Sequence, residues 1–201
     1  GIFSFIENPQ YKVTRIFYKI ISNTNRNRYK IMKKLFKYDN SSLQLLFSIL
    51  DKLNNSFLKN NLESEYGIKE NQLISLRDIA VTKILKESEK SKRIESRLLN
   101  ILYTMQRLGK EEEAKKVFKN YLKNKDLLID FIKEFISTRT TEINYSIRES
   151  TYLLKDSIND FYDYEEFVKL VDENFTNPNE EECKVINQLK NAITREELEK
   201  D

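Results

Sequence analysis

Apolar side chains recur every three or four positions along most of the 201 residues, which is the spacing of one face of an α-helix. Stripes of this kind occupy 13–21, 29–36, 43–57, 76–84, 94–108, 114–122, 127–135, 164–171 and 185–189. The period changes near 142–147, where Ile143, Tyr145 and Ile147 alternate with polar residues and predict a short extended segment. The pattern as a whole predicts an all-α fold, an irregular bundle of about eight to ten helices.

Residues that satisfy free backbone groups mark the ends of these helices. A short polar side chain can accept a hydrogen bond from the first free N–H groups of a helix. Such N-cap candidates stand at Asn8, Ser42, Ser75, Asp163, Asn177 and Thr194. Thr194 precedes Glu197 by three residues, which is the spacing of a capping box, and Ser75 has an acid at the same distance. Gly109 is predicted to end the helix before it, because glycine readily adopts a left-handed conformation.

Glycine and proline are scarce, with three glycines and two prolines in the whole chain. Sandwiches, barrels and doubly wound sheets use these residues in their many tight turns, whereas helical bundles need few of them. The length fits one domain that can bury a sizeable core. We therefore expect a single helical domain over 1–201, with basic N-terminal helices (1–38), a helical core (41–136) and an acidic C-terminal portion (137–201).

Charge is distributed unevenly along the chain. Residues 1–60 carry eleven basic and three acidic side chains, whereas residues 126–201 carry nine basic and nineteen acidic side chains. Residues 61–125 carry fifteen basic and ten acidic side chains, so the formal net charge of the whole chain is only +3. The basic front and the acidic tail are therefore the surfaces on which a charged partner is expected to bind.

The residues of the common catalytic sites are missing from the sequence. There is no histidine, which removes the usual general base and the commonest metal ligand. Cys183 is the single cysteine; it is expected to be a buried, inert thiol, and it indicates a reducing, cytoplasmic compartment. Glycines at positions 1, 67 and 109 cannot form a phosphate-binding loop. The sequence thus predicts no catalytic residue, no cofactor, no metal site and no membrane span.

Basic residues crowd the second predicted helix, at Arg26, Arg28, Lys30, Lys33, Lys34 and Lys37. Tyr29, Phe36 and Tyr38 are interleaved with them. Phosphate backbones bind to such patches and aromatic rings stack on bases, so the segment predicts contact with nucleic acid or another partner. The alternatives are the solvated basic face of an amphipathic helix and a patch that meets the acidic tail of the same chain. A second basic run is interpreted as the outer face of a packed helix; it comprises Lys115, Lys116, Lys119 and Lys123.

Four carboxylates cluster among aromatic residues in the acidic portion, at Asp160, Asp163, Glu165 and Glu166. A cation site and an acid–base pair are the two functional interpretations of this cluster. A calcium loop would also have a glycine and a fixed order of ligands, which this segment lacks. The simpler interpretation is therefore a solvated loop in which Asp163 caps the following helix.

Several segments of the chain follow one another in a distinctive order: 43–53, 98–103, 109–113, 127–135, 141–145 and 163–171. They are leucine-rich helices, a turn with a run of Glu and Lys, a helix rich in Leu and Phe, an extended segment and an acidic helix. In this order the helical core resembles the region that follows the nucleotide-binding core in KAP-type P-loop NTPases. The resemblance thus covers roughly residues 43–171 and rests on hydrophobic patterns with a few signature residues.

The resemblance implies that the chain is the C-terminal helical region of a larger bacterial NTPase, and a first residue Gly1 without methionine agrees with a fragment. The Walker motifs would lie upstream, and none of the matched positions is catalytic. Such NTPases act in membrane-associated or antiphage settings. The domain is then expected to be a non-enzymatic accessory module that contacts its own NTPase core, another protein or a second copy of itself. The apolar residues predicted to contact the missing core are Ile2, Phe3, Phe5 and Ile6.

Overall fold

The computed structural model describes residues 15, 19–20, 22, 25–90, 98–141, 158 and 162–200. Within these residues the chain forms helices and no strand, which confirms the all-α prediction. The nine helices of this part are α1 (Asn25–Lys37), α2 (Leu43–Leu58), α3 (Leu62–Tyr66), α4 (Glu70–Glu89), α5 (Leu98–Arg107), α6 (Glu111–Leu122), α7 (Lys125–Thr141), α8 (Tyr164–Asn174) and α9 (Glu180–Lys200). The extended segment predicted at 142–147 and the N-cap predicted at Asn8 lie outside the described residues.

Two of the predicted N-caps are confirmed by their hydrogen bonds. Ser42 Oγ accepts a hydrogen bond from the backbone N–H of Leu45 at 3.4 Å and begins α2. Asp163 Oδ1 accepts one from Glu166 N–H at 2.7 Å and begins α8. In both helices the cap residue is extended, so its side chain turns back onto the free N–H groups of the first turn.

Two further predictions about helix starts, at Ser75 and Thr194, are wrong. Ser75 lies inside α4, which begins at Glu70 with the side chain of Gln72 accepting the N–H of Lys69 at 2.9 Å. Thr194 lies inside α9. A polar residue followed by an acid also fits the outer face of a continuing helix, so the spacing alone does not identify a cap.

The start of α9 lies two residues beyond the predicted cap at Asn177. Asn179 Oδ1 accepts the N–H of Glu182 at 2.8 Å, and Glu182 Oε1 accepts the N–H of Asn179 at 3.4 Å. This reciprocal pair is the true capping box of the helix. Cys183, in the first turn, is half-buried rather than buried, and its thiol donates to the carbonyl oxygen of Pro178 at 3.7 Å.

Helix α4 lies at the centre of the first part of the bundle, where it packs against α1, α2 and α6. Helix α5 packs between α2 and α6, and it also contacts α7. Helices α8 and α9 pack on α7 and on each other, which places these two helices of the acidic C-terminal portion against α7. One continuous core joins the helices, and its aromatic contact between α6 and α7 is an edge-on pair of Phe118 and Phe131 with ring centroids 4.6 Å apart.

Polar contacts cross this core at a few defined points. Tyr162 Oη donates to the carbonyl oxygen of Leu122 at 3.0 Å and so ties the segment before α8 to the end of α6. Arg107 of α5 forms an ion pair with Asp51 of α2, and its guanidinium lies 4.4 Å from the ring centroid of Tyr103. Burial raises the pKa of Asp51, an effect that the charges of Arg107 and Lys52 partly oppose.

Candidate functional site

Four of the predicted basic residues share one side of α1. Lys30, Lys33, Lys34 and Lys37 follow at intervals of three, one and three residues, so they line up along one helical face. Lys30, Lys34 and Lys37 are exposed and Lys33 is half-buried. Met32 and Phe36 lie on another side of the same helix and are fully buried against the core. We call these four lysines the basic face.

The other two predicted basic residues do not join the basic face. Arg28 is half-buried, and because it stands two residues before Lys30 it projects from a different side of α1. Arg26 is in the first turn of α1, but its side chain lies outside the described part of the structure, as do the apolar residues Ile2, Phe3, Phe5 and Ile6.

The three aromatic residues of this segment have different surroundings. Phe36 has an exposed fraction of 0% and belongs to the core. Tyr29 is half-buried, and the Nζ atom of Lys33 lies 5.7 Å from its ring centroid, within the range of a cation–π contact. Tyr38 is 60% exposed. Of the three rings, that of Tyr38 is therefore the one most accessible to a partner.

The lysines of the basic face have no carboxylate within ion-pair distance among the residues that the structure describes. Lysines elsewhere do pair. Lys115 Nζ lies 3.6 Å from Glu112 in the first turn of α6, and Lys190 Nζ lies 2.7 Å from Asp172 where α9 meets α8. The acidic helices pack on α7, and the principal packing partner of α1 is α4. Within the described residues, the basic face therefore has no carboxylate in an ion pair with it.

A shallow groove of about 630 Å³ continues from the end of the basic face onto the outer side of α4. Lys37 lines one side of it, and α4 contributes Asn71, Ile74, Asp78, Thr82 and Lys83. Ile74 is 39% exposed and forms an apolar part of the wall. Asp78 is the carboxylate of the groove, and its Oδ1 atom lies 3.2 Å from Arg77 Nε and 3.9 Å from Lys110 Nζ. These two cations offset its negative charge.

The backbone of Tyr38 is hydrogen-bonded to Lys83, one of the residues that line this groove. Its N–H donates to the carbonyl oxygen of Lys34 at 3.0 Å, which closes the last turn of α1. Its carbonyl oxygen accepts hydrogen bonds from Lys83 Nζ at 2.6 Å and from Ser41 N–H at 3.1 Å. The backbone of Tyr38 is thus anchored to the fold, while the residue as a whole is largely exposed. Burial lowers the pKa of Lys83, an effect that the charge of Asp39 partly opposes.

No family model, no curated protein and no solved structure matches this chain. A proposal for its function therefore rests on the physical properties of its own residues.

Three of the four carboxylates in the acidic cluster of the sequence lie in the described residues, and these three do not form a site. Asp163 is engaged as the N-cap of α8, and Glu165 and Glu166 are exposed in the first turn, where acids favour the positive end of the helix dipole. Asp160 lies outside the described residues. Across the described ranges, no three acidic or cysteine side chains are placed to hold a metal ion. In the same ranges, no helix has the length and apolarity to cross a membrane.

Sequence reasoning missed the α4 side of the groove. Lys83 lies 45 residues after Tyr38, and no local pattern connects the two. Thr82 and Asn71 are ordinary surface residues of a helix when read in sequence alone. The signal that could have pointed to them is the exposed apolar residue Ile74, which departs from the inward stripe of α4.

Proposed function

We propose that this helical domain binds a polyanion, with nucleic acid as the class of partner, through the basic face of α1. The observation that supports the proposal is the lack of carboxylate partners around Lys30, Lys33, Lys34 and Lys37 in the described part of the chain. Some surface lysines of this chain pair with acids three or four residues away, as Lys115 does. In the described part of the chain the lysines of the basic face have no such pair, which leaves their ammonium groups accessible to an external anion.

The arrangement of the basic face suits an extended anion better than a small one. Lys30 and Lys37 are seven residues apart, which corresponds to about 10 Å along the helix axis. Charges spread over this length match a chain of phosphates, whereas a single phosphate would need donors that converge on one point. Neutralising phosphates with lysines releases condensed counterions, which supplies a large part of the binding free energy at low salt.

The proposal is tested by titrating the full chain into a fluorescently labelled oligonucleotide and following anisotropy at several salt concentrations. If all four lysines contact phosphates of a single strand, raising salt from about 50 to about 200 mM weakens binding about 50-fold. Replacing the four lysines by glutamine should abolish most of the affinity.

A matched control is available on α6. Changing Lys115, Lys116, Lys119 and Lys123 to glutamine removes the same total charge from another helix. This variant should keep most of the affinity, because those lysines lie outside the basic face. Equal losses in the two variants, at unchanged helical circular dichroism, would show that net charge and not the basic face governs binding.

A second proposal follows from the sequence resemblance, namely that the domain is a non-catalytic accessory module of a larger, cytoplasmic bacterial P-loop NTPase with a role such as antiphage defence. The segments that support it lie mainly on α2, α5, α6, α7 and α8. The test compares ATP hydrolysis and oligomeric state of this chain with those of a longer chain that includes the upstream sequence. Activity of the longer chain alone would support the proposal, and upstream sequence without a phosphate-binding loop would refute it.

A further inference from the structure

Two apolar side chains remain exposed where the basic face ends. Tyr38 directly follows Lys37 and is 60% exposed, while Ile74 is 39% exposed in the groove that Lys37 also lines. Among the described residues, Leu58 is the other large apolar residue that is exposed, and it does not line this groove. Apolar surface beside unpaired lysines is what a partner with both phosphates and aromatic bases would contact.

We propose that the polyanion is single-stranded nucleic acid, with its phosphates along the basic face and one unstacked base against the exposed Tyr38 that follows Lys37. This inference rests on the proposed function and specifies its substrate. In a duplex the faces of the bases are covered by their neighbours, so an exposed ring cannot stack on them. In a single strand the bases are free to leave the stack and lie on an aromatic side chain.

The backbone of Tyr38 is anchored directly after the basic face. Its carbonyl oxygen accepts from Lys83 Nζ and its N–H donates to Lys34 O. A base that stacks on a residue with an anchored backbone loses less free energy to ordering than one that meets a residue on a mobile loop. Lys37, the neighbouring residue, is exposed and can contact the phosphate next to the stacked base.

The groove can accommodate the rest of the nucleotide. Its polar wall includes Asn71, whose side chain offers both a donor and an acceptor to a base edge. Thr82 Oγ1 donates to the carbonyl oxygen of Asp78 at 2.8 Å, which leaves its lone pairs to accept from a ligand. Ile74 provides apolar contact for the sugar or base, and the charge of Asp78 is already offset by Arg77 and Lys110.

The chain contains no tryptophan, so Tyr38→Trp introduces a single fluorescent reporter at the proposed stacking position. An oligothymidine strand should quench its emission as binding saturates, and a duplex of equal length should not. Leu58→Trp is the matched control, because Leu58 is 70% exposed but lies at the end of α2, whereas Tyr38 directly follows the basic face of α1. Its emission should be unaffected by either nucleic acid.

Binding of the same two probes is then compared across variants of Tyr38 in the full chain. Tyr38→Ala should weaken single-strand binding about tenfold and leave duplex binding within about twofold, whereas Tyr38→Phe should keep the single-strand affinity. Equal affinity for strand and duplex, with no quenching of Trp at position 38, would overturn the inference while the proposed function stands.

Two other outcomes would overturn the proposed function as well. One is the absence of salt-sensitive binding to either nucleic acid. The other is binding to vesicles that contain phosphatidylserine, with a blue shift of the reporter at position 38 and no binding of oligonucleotides. In that case the basic face and Tyr38 would serve a membrane surface instead.

Discussion

Lys83 Nζ donates a hydrogen bond to the backbone carbonyl oxygen of Tyr38 at 2.6 Å, and so joins the middle of α4 to the residue that follows α1. The carbonyl groups at the end of a helix have no partner within the helix, and a cation there also interacts favourably with the helix dipole. One lysine therefore caps the end of α1 and fixes the position of that helix on α4. Its effect on stability can be measured separately from nucleic-acid binding.

Replacing Lys83 by methionine should lower the free energy of unfolding by about 1–2 kcal/mol. Methionine keeps most of the apolar contacts of the lysine stem and removes the ammonium group that donates to Tyr38. The measurement is urea denaturation followed by circular dichroism. Lys86→Met is the control, since Lys86 is an exposed residue one turn further along α4, and it should change stability by less than about 0.5 kcal/mol. Equal effects of the two substitutions would contradict a capping role.

Replacing either of two buried tyrosines by phenylalanine should have opposite effects on the stability of the fold. Tyr162 Oη donates to the carbonyl oxygen of Leu122 at 3.0 Å, so Tyr162→Phe leaves that carbonyl without its partner and should cost about 1–2 kcal/mol. Tyr121 is 2% exposed, and its hydroxyl has no hydrogen-bond partner among the described residues. Tyr121→Phe should be neutral or stabilise the fold by up to about 1 kcal/mol. The prediction fails if Tyr121→Phe destabilises the protein as much as Tyr162→Phe.

Because of the same two tyrosines, the folded chain should lose stability at alkaline pH. Burial raises the pKa of Tyr121 and of Tyr162, and the charges of Glu87 and Glu166 respectively add to the effect. Above about pH 10 the unfolded chain releases these phenolic protons while the folded chain retains them. The unfolded state then binds fewer protons, so stability falls as pH rises from about 10 towards the higher folded-state pKa values.

Urea denaturation between about pH 9 and pH 11 measures this fall in stability. The variant Tyr121→Phe/Tyr162→Phe should lose less stability over that interval than the parent chain, because it lacks both shifted groups. The absorbance of tyrosinate gives a second readout, since these two tyrosines should titrate at a higher pH in the folded chain than in the unfolded chain. Parallel pH profiles for parent and variant would show that other groups cause the alkaline loss.

Local features of the fold could be predicted from sequence, and features that depend on distant contacts could not. The caps at Ser42 and Asp163 were predictable because the accepting oxygen and the donating N–H are three residues apart. Ser75 has the same local pattern and caps nothing, because α4 has already begun at Glu70. Whether such a residue caps a helix or lies inside it depends on where the apolar stripe of the helix meets the core. The pattern of one short segment does not show this.

The candidate site also combines features that the sequence predicts with features that depend on the packing of distant segments. The helical period was enough to place Lys30 and Lys37 on one face of α1. It was not enough to separate Phe36, which is fully buried, from Tyr38, which lies just beyond the helix end and is mostly exposed. The groove with Lys83 arises from the packing of α1 on α4, and the described acidic helices α8 and α9 pack on α7 instead of on α1.

Gly109 allows a test of backbone strain without a steric effect. Its φ angle is +76°, in the left-handed region, and a Cβ atom added there would have no other atom within 4 Å. Gly109→Ala should therefore lower the free energy of unfolding by about 1–2 kcal/mol through the backbone conformation alone. Gly109→Asn should cost less, because asparagine is the residue after glycine that best tolerates this conformation. Equal stability of the alanine and asparagine variants in urea denaturation would show that the turn between α5 and α6 adopts another conformation in solution.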